Sequence, residues 1–326
     1  MKKTLTLMAL AALSLAWPFA AAAQSLAPVP RIGVLRFAGT LEGDAPFSES
    51  FRQGLRELGY IEGKNIAIEW RLAEGRGDRA ATFARDLVRL RVDLIVASGT
   101  PAVEAARAAT RKIPIVMASV GDAVGSGFVA NLAHPGGNIT GMSLNLPGVA
   151  GRQLEWIKRL LPGVTRGAFL ASARDPAARL LAEATERAGG RLGIRIQVLP
   201  IDSAAAVDAA FATMRREQVG VLIVPPSVPE GLERIVELAG QSRLPSVSWL
   251  RGFAEAGVLM TYGPDQREIW RHAAIYVDRI LRGAKPRDLA VTEPTKHLLA
   301  INLKTAKTLG LTVPPAVLSR ADEVIQ

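Results

Sequence analysis

From residue 31 onward, short apolar runs alternate with longer stretches in which apolar residues recur every three or four positions. The runs Ile32 to Phe37, Ile66 to Trp70, Leu94 to Ala97 and Ile113 to Ala118 are too short for helices and rich in branched residues, so they predict buried parallel strands. Between them, Phe51, Leu55 and Leu58 fall at spacings of four and three, with Gly59 as a C-terminal stop. Phe83, Leu87 and Leu90 obey the same rule and carry charged residues on the opposite face. Strand, helix, strand, helix in this order describes βαβ units and a doubly wound α/β sheet.

The pattern then restarts. Gly167 to Ala171 and Ile194 to Leu199 read as strands around a helix from Ala177 to Leu192, and Val221 to Val224 with Val247 to Trp249 flank a helix from Glu230 to Ala239. The run from Asp93 (DLIVASGTP), a helix and then IPIVMAS parallels the run from Gly220 (GVLIVPPSVP), a helix and then LPSVSW. Each half is therefore expected to own a sheet, giving two similar Rossmann-like lobes, since a single core stops growing near 250 to 300 residues. Turn-rich sequence from His134 to Gly141 places a first crossing between lobes near Met142 to Pro147. A second falls at Thr261 to Pro264, between a strand Val258 to Thr261 and a helix Arg267 to Leu281, and a third at Asp288 to Thr295, before a strand Leu298 to Ile301 and a short helix Lys304 to Leu309. Three crossings make a three-segment hinge with a cleft between the carboxyl ends of both sheets.

The beginning of the chain speaks to compartment. Lys2 and Lys3 precede an apolar run from Leu5 to Leu15, and Ala21-Ala22-Ala23 before Gln24 fits the small-residue cleavage rule, so residues 1–23 read as a signal peptide and the product as periplasmic. The alternative, an uncleaved anchor, is weakened by Trp17-Pro18 and by a run shorter than the roughly 20 apolar residues a spanning helix needs. Across the 326 residues, 49% are apolar and 21% charged, which excludes a disordered chain. With no cysteine, disulfides, thiolate metal sites, cysteine nucleophiles and lipidation at a cysteine are excluded as well. The formal charge of +10 is scattered in arginine pairs such as Arg215-Arg216, with no basic stripe interleaved with aromatics, so no nucleic-acid partner is expected.

Several stretches carry a resemblance: those beginning at Arg31 (RIGVLRF), Phe51 (FRQGLRELGYIEGKNIAIEW), Val92 (VDLIVASGTPA), Ile113 (IPIVMASVGDAVGSGFVANLAHPGGNITG), Phe253 (FAEAGVLMTYGPD), Ala274 (AIYVDRILRGAKPRDL), Pro294 (PTKHLLAINLKTAKTLGL) and Pro314 (PPAVLSRADEVI). Together they resemble the extracytoplasmic substrate-binding proteins of ABC transporters, in particular the tryptophan- and tyrosine-binding-like members. The resemblance implies a type I periplasmic binding protein fold, with residues 31–141 and 263–295 in one lobe and 142–262 and 296–326 in the other. It further implies a small solute in the cleft, an amino acid or a related carboxylate or aromatic compound, a membrane permease as partner, no cofactor and a monomeric chain. One departure is the segment Ala171 to Pro176 (ASARDP), where relatives more often carry an Asn-Pro turn. Arg174 there adds a cation that favours an anionic solute; pairing with Asp175 or pointing into solvent is the alternative.

Candidate ligand contacts sit at the ends of the predicted strands. Ser98-Gly99-Thr100-Pro101 follows a buried strand and opens a helix, so Gly99 permits close approach, Thr100 supplies a hydroxyl and the first amides of the helix can receive a carboxylate; an ordinary helix cap is the alternative. Gly121 and Asp122 occupy the equivalent place one strand later, where Asp122 either accepts from a ligand ammonium or caps the following turn. Ser143 and Asn145 lie at the first crossing. The second lobe offers Ser172, Arg174, Ser227, Trp249 and Tyr262, the two rings either stacking on a flat ligand or belonging to the lobe core. Gly39, Thr40 and Phe47, in the loop after the first strand, complete the wall.

No nucleophile elbow or phosphate loop is present, and His134, His272 and His297 are far apart, so neither catalysis nor a metal site is expected. The expected activity is solute capture by closure of two lobes for an ABC importer. A receptor feeding a membrane sensor is the alternative, and an enzyme built on Asp122 and Arg174 is a weaker one.

Overall fold

A computed structural model describes residues 29–37, 45–172, 175, 177–226, 228 and 231–326. The first lobe is built on β1 (Arg31–Arg36), α1 (Ala45–Glu57), β2 (Ala67–Leu72), α2 (Gly77–Arg89), β3 (Leu94–Ser98), α3 (Thr100–Ala109), β4 (Ile115–Val120) and β5 (Ile139–Ser143). Its five strands are all parallel, in the order β2-β1-β3-β4-β5. The inner strands β1, β3 and β4 are apolar on both faces because helices cover both. β2, expected to be buried, is an edge strand, half-buried throughout, and Glu69 and Arg71 in it answer to that position.

β5 went unread in the sequence because the glycines around it signal turns. Gly141 instead sits mid-strand at φ +127°, where a Cβ would lie 2.3 Å from the Met117 carbonyl oxygen, so β4 and β5 come together only over a residue without a side chain.

The second lobe comprises α4 (Leu146–Leu160), β6 (Arg166–Ser172), α5 (Ala178–Arg191), β7 (Arg195–Ile201), α6 (Ala204–Arg216), β8 (Val221–Val224), α7 (Leu232–Gln241), β9 (Ser246–Ser248), α8 (Arg251–Glu255) and β10 (Met260–Pro264). The chain then returns to the first lobe as α9 (Gln266–Leu281), which packs along α1, and comes back as β11 (His297–Asn302), α10 (Leu303–Thr308), α11 (Pro315–Leu318) and β12 (Glu323–Ile325). The seven-stranded sheet runs β12-β11-β10-β9-β8-β6-β7, with β10 and β11 antiparallel and the other pairs parallel. α6 is a helix that periodicity passed over: its alanines blur the polar face, while Val207, Ala210, Phe211 and Met214 mark the buried one.

The chain passes between sheets in three places, from Ser143 to Leu146, from Pro264 to Gln266 and from Thr292 to His297. The first and third are tied together by paired backbone bonds, Ser143 N–H to Thr292 O at 2.9 Å and Thr292 N–H to Gly141 O at 3.0 Å. Apolar packing is continuous through the passages: Met142, Leu144 and Leu146 link the α1–α9 side of the first sheet, where Phe51 meets Trp270 edge-on at 5.8 Å, to the α4–α5 side of the second. Separate clusters fill the opposite face of each sheet.

Candidate functional site

The first sheet changes direction between β1 and β3, because the chain runs outward from β1 to β2 and then returns to lay β3 on the other side of β1. In open parallel sheets, ligands bind in the crevice outside the carboxyl ends of the strands at such a point. The backbone register sets the residues there side by side: Arg36 of β1 pairs with Ser98 of β3, and Ser98 with Ser119 of β4. The strand ends are held by Phe37 N–H to Ser98 O (3.0 Å) and Gly99 N–H to Ser119 O (2.7 Å).

Arg36 is the chemically conspicuous member and was not among the residues singled out from sequence. It is only 8% exposed, and its guanidinium carbon lies 5.0 Å from the ring centroids of both Phe47 and Trp270. A cation between two aromatic faces is oriented as well as stabilised, since each ring presents its negative quadrupole face. Phe47 does this from the first turn of α1, a helix and not the loop expected for it. Trp270 lies one turn into α9, and one turn nearer the carboxyl edge Gln266 accepts from the Ser119 hydroxyl at 3.1 Å. The Gln266 Nε2 is buried with no hydrogen-bond partner. The sequence signal for Arg36 was a charge inside the otherwise apolar run RIGVLRF; Trp270 and Gln266 gave none without the position of the second passage.

Thr100 does not cap its own turn. Its hydroxyl accepts from Gly121 N–H at 3.3 Å, which pins the loop after β4 to the start of α3. Gly99 adopts φ +92°, with Phe37 so close that a Cβ would sit 3.0 Å from its Cβ. The anion cradle expected at this helix start is largely spent: Pro101 has no N–H, and the amides of Ala102 and Val103 already bond Gly99 O at 3.0 and 3.2 Å. Asp122 is a turn cap, accepting from Gly125 N–H at 2.8 Å through Oδ1. The buried Ser143 hydroxyl accepts from Ala123 N–H at 3.1 Å and so braces the same loop from the first passage.

Asn145 is left-handed (φ 47°), caps α4 by accepting from Gly148 N–H at 3.2 Å and donates to Glu293 Oε2 at 3.2 Å across to the third passage. Its surroundings make it a hinge residue.

In the second lobe, Ser172 ends β6 and is buried, and its carbonyl accepts from Asp175 N–H at 3.3 Å; Asp175 in turn starts α5 through Oδ1 to Ala177 N–H at 2.9 Å. Gly121 lies directly opposite Ala177: a Cβ on the glycine would stand 3.4 Å from the alanine Cβ, so the two lobes touch there. Gly39, Thr40, Arg174 and Ser227 lie outside the described residues. Trp249 packs edge-on against Phe169 at 6.2 Å, 1% exposed, with its indole N–H buried and unpartnered, which places it in the lobe core.

Tyr262 is also drawn away from the Arg36 cluster. It stacks on His297 (5.8 Å, 19° between planes) and leans on Trp156 at 6.4 Å, beside a surface cavity of about 360 Å³ edged by Arg152, Glu155 and Arg159. Burial, and then the charge of Arg152, hold the His297 imidazole below its ordinary pKa. Among the described residues no group of three potential ligands could hold a metal ion, and no helix is long and apolar enough to cross a membrane.

Two α/β lobes, each built on its own sheet and joined by three segments, define a type I periplasmic binding protein. A family model for ABC transporter substrate binding proteins matches residues 37–325, and the chain belongs to that family. It is therefore a non-catalytic, extracytoplasmic solute-binding component of an ABC importer, working with a membrane permease. A tyrosine-binding protein of Clostridioides difficile (strain R20291) is 26% identical over 265 residues, covering 81% of this chain and 76% of the relative. Two solved structures, each 29% identical and matched over 91% of this chain and 99% of their own, are also similar. One is a conserved domain protein of Vibrio cholerae O1 biovar El Tor strain N16961 (TM-score 0.82) and the other an ABC domain of Streptococcus pneumoniae in complex with L-Trp (TM-score 0.84).

Proposed function

We propose that the protein captures an aromatic L-amino acid between its lobes and delivers it to the permease. The observation that carries this reading is the cluster at the β1–β3 switch point, where a buried cation, two hydroxyl-bearing strand ends and two aromatic rings converge. The ligands named for the two relatives, tyrosine and L-Trp, agree with it. Residues 1–23 are read as a signal peptide removed after Ala23, and the lobes as residues 31–141 with 263–295 and 142–262 with 296–326. Ser98, Thr100 and Gly121 then face Ser172 across the cleft, while Ser143 and Asn145 act from the hinge. A solute touching both walls favours the closed arrangement by its difference in affinity for the closed and open forms.

A melting-temperature screen of the purified protein against the proteinogenic amino acids tests the assignment, because a ligand that binds only the native state raises its stability by mass action. L-tryptophan or L-tyrosine is expected to give the largest rise. A rise given only by aliphatic or acidic amino acids would overturn it.

A further inference from the structure

We propose that the anionic group of the solute is held in the first lobe by the Arg36 guanidinium together with the Gln266 side-chain amide. This deepens the reading of the cleft given above and rests on it for the location of the solute. It assigns the cation to a residue of the sheet, where the sequence pointed to Arg174 of the opposite lobe.

Position comes first. Arg36 is the last residue of β1 at the switch point, in register with Ser98 and, one strand further, Ser119, so a polar row crosses three neighbouring strand ends. Arg36 points to the face covered by α1 and α9, as Val34 and Ile32 do two and four residues earlier. α9 brings Gln266 to the same edge, four residues and hence one helical turn before Trp270.

Rigidity is the second argument. Phe47 and Trp270 hold the guanidinium from two sides at 5.0 Å, and Trp270 is itself wedged against Phe51 at 5.8 Å. An arginine fixed in this way loses little further side-chain freedom when it binds, and its planar fork matches a carboxylate through two parallel hydrogen bonds.

The third argument is a donor that lacks its acceptor. Gln266 Oε1 is satisfied by the Ser119 hydroxyl, while its Nε2 is buried with no hydrogen-bond partner. A buried amide N–H left unpaired is costly, and an acceptor arriving with the solute removes that cost. A guanidinium and an amide NH2 can only donate, which selects an acceptor-rich, negatively charged group. The neighbouring helix start has its amides largely engaged and does not compete for that role.

Calorimetry with matched pairs tests this: L-tryptophan and L-tryptophanamide, L-tyrosine and L-tyrosinamide, L-leucine and L-leucinamide, benzoate and benzamide. The native protein is expected to prefer the acid of its best pair by at least about thirtyfold, as for loss of a hydrogen-bonded charge partner. Arg36→Gln should bind that acid at least about thirtyfold more weakly and its amide nearly unchanged, so that the preference collapses. Melting of the ligand-free variant shows whether it is folded. If it is not, Arg36→Lys, which keeps the charge without the fork, and Gln266→Glu, which sets a carboxylate against the anion, take its place. Each should weaken the acid selectively by about tenfold or more. An acid preference that survives Arg36→Gln, or both substitute variants binding like the native protein, would overturn the proposal while leaving an aromatic amino acid as the solute. Binding of leucine or benzoate alone, with a preference lost in Arg36→Gln, would sustain the anion site and remove the aromatic amino acid. No binding of any acid would reject both.

Discussion

At the scale of single residues, the second lobe carries a pH response in His297. Its imidazole is stacked on Tyr262, half-buried and close to the charge of Arg152, and burial followed by that charge depresses its pKa. His272 on α9 is shifted the same way, chiefly by burial. A histidine whose folded pKa lies below the unfolded value binds its proton more readily in the unfolded chain. The stability it contributes is thus whole above the unfolded value near 6.5 and is lost as pH falls through the folded one. Melting temperature should therefore drop on moving from about pH 7.5 to about pH 5, and His297→Gln should narrow that drop while His272 retains its share. Thermal melts of both proteins at the two pH values check this, and a drop of equal size in the variant would show that His297 does not contribute.

Among the elements, α4 depends most on one residue. Asn145 precedes a Leu-Pro start, takes the left-handed conformation, caps Gly148 N–H and reaches Glu293 on the third passage, so one side chain starts the helix and fastens two hinge segments. Asn145→Ala removes the cap, at about 1 kcal/mol, and leaves the left-handed conformation to a residue without the local side-chain hydrogen bond that makes asparagine tolerant of it, so a loss of about 2 kcal/mol by chemical denaturation is expected. Asn145→Gly, which tolerates the backbone, should lose about half as much. Equal losses would mean that the backbone conformation is not what asparagine supplies here. The element level is also where sequence reading succeeded and stopped. Runs such as VLIV at Val221–Val224 announced strands because both faces are buried, and α9 was legible from its Ile269, Ala273 and Val277 face. β5 was hidden by Gly141, a turn residue by composition that serves a close strand approach, and α6 by alanines that weaken the contrast between faces. The placement of Ser98, Thr100 and Gly121 at neighbouring strand ends was legible, because it follows from where the apolar runs stop. It was illegible where tertiary packing decides: Trp249 and Tyr262 found ring partners inside their lobe, and Arg36 gained meaning only once α1 and α9 had closed over it.

The whole molecule is a pair of lobes in contact, and that contact is adjustable. Gly121 ends the first lobe's β4 loop against Ala177 at the head of α5, with Leu146 and Thr100 beside it: a Cβ at Gly121 would find Ala177 Cβ at 3.4 Å, Leu146 Cδ1 at 3.6 Å and Thr100 Oγ1 at 3.6 Å. These are ordinary van der Waals separations, so Gly121→Ala fits the contact as it stands, whereas anything longer must displace α5 or part the lobes. The passages supply the freedom for parting, since three short segments connect two sheets that share no strand pairing. Gly121→Leu is therefore expected to shift the lobes toward an open arrangement. The variant should show a larger radius of gyration by small-angle scattering without ligand and should bind the best solute about tenfold or more weakly, because an equilibrium moved away from the binding-competent form lowers apparent affinity by the fraction lost. Gly121→Ala should match the native protein in both measurements. Saturating solute should bring the radius of Gly121→Leu back toward that of the native complex, the mark of a shifted equilibrium rather than a damaged lobe. An unchanged radius and affinity in Gly121→Leu would mean that the seam at Ala177 yields locally and does not report the closing of the cleft.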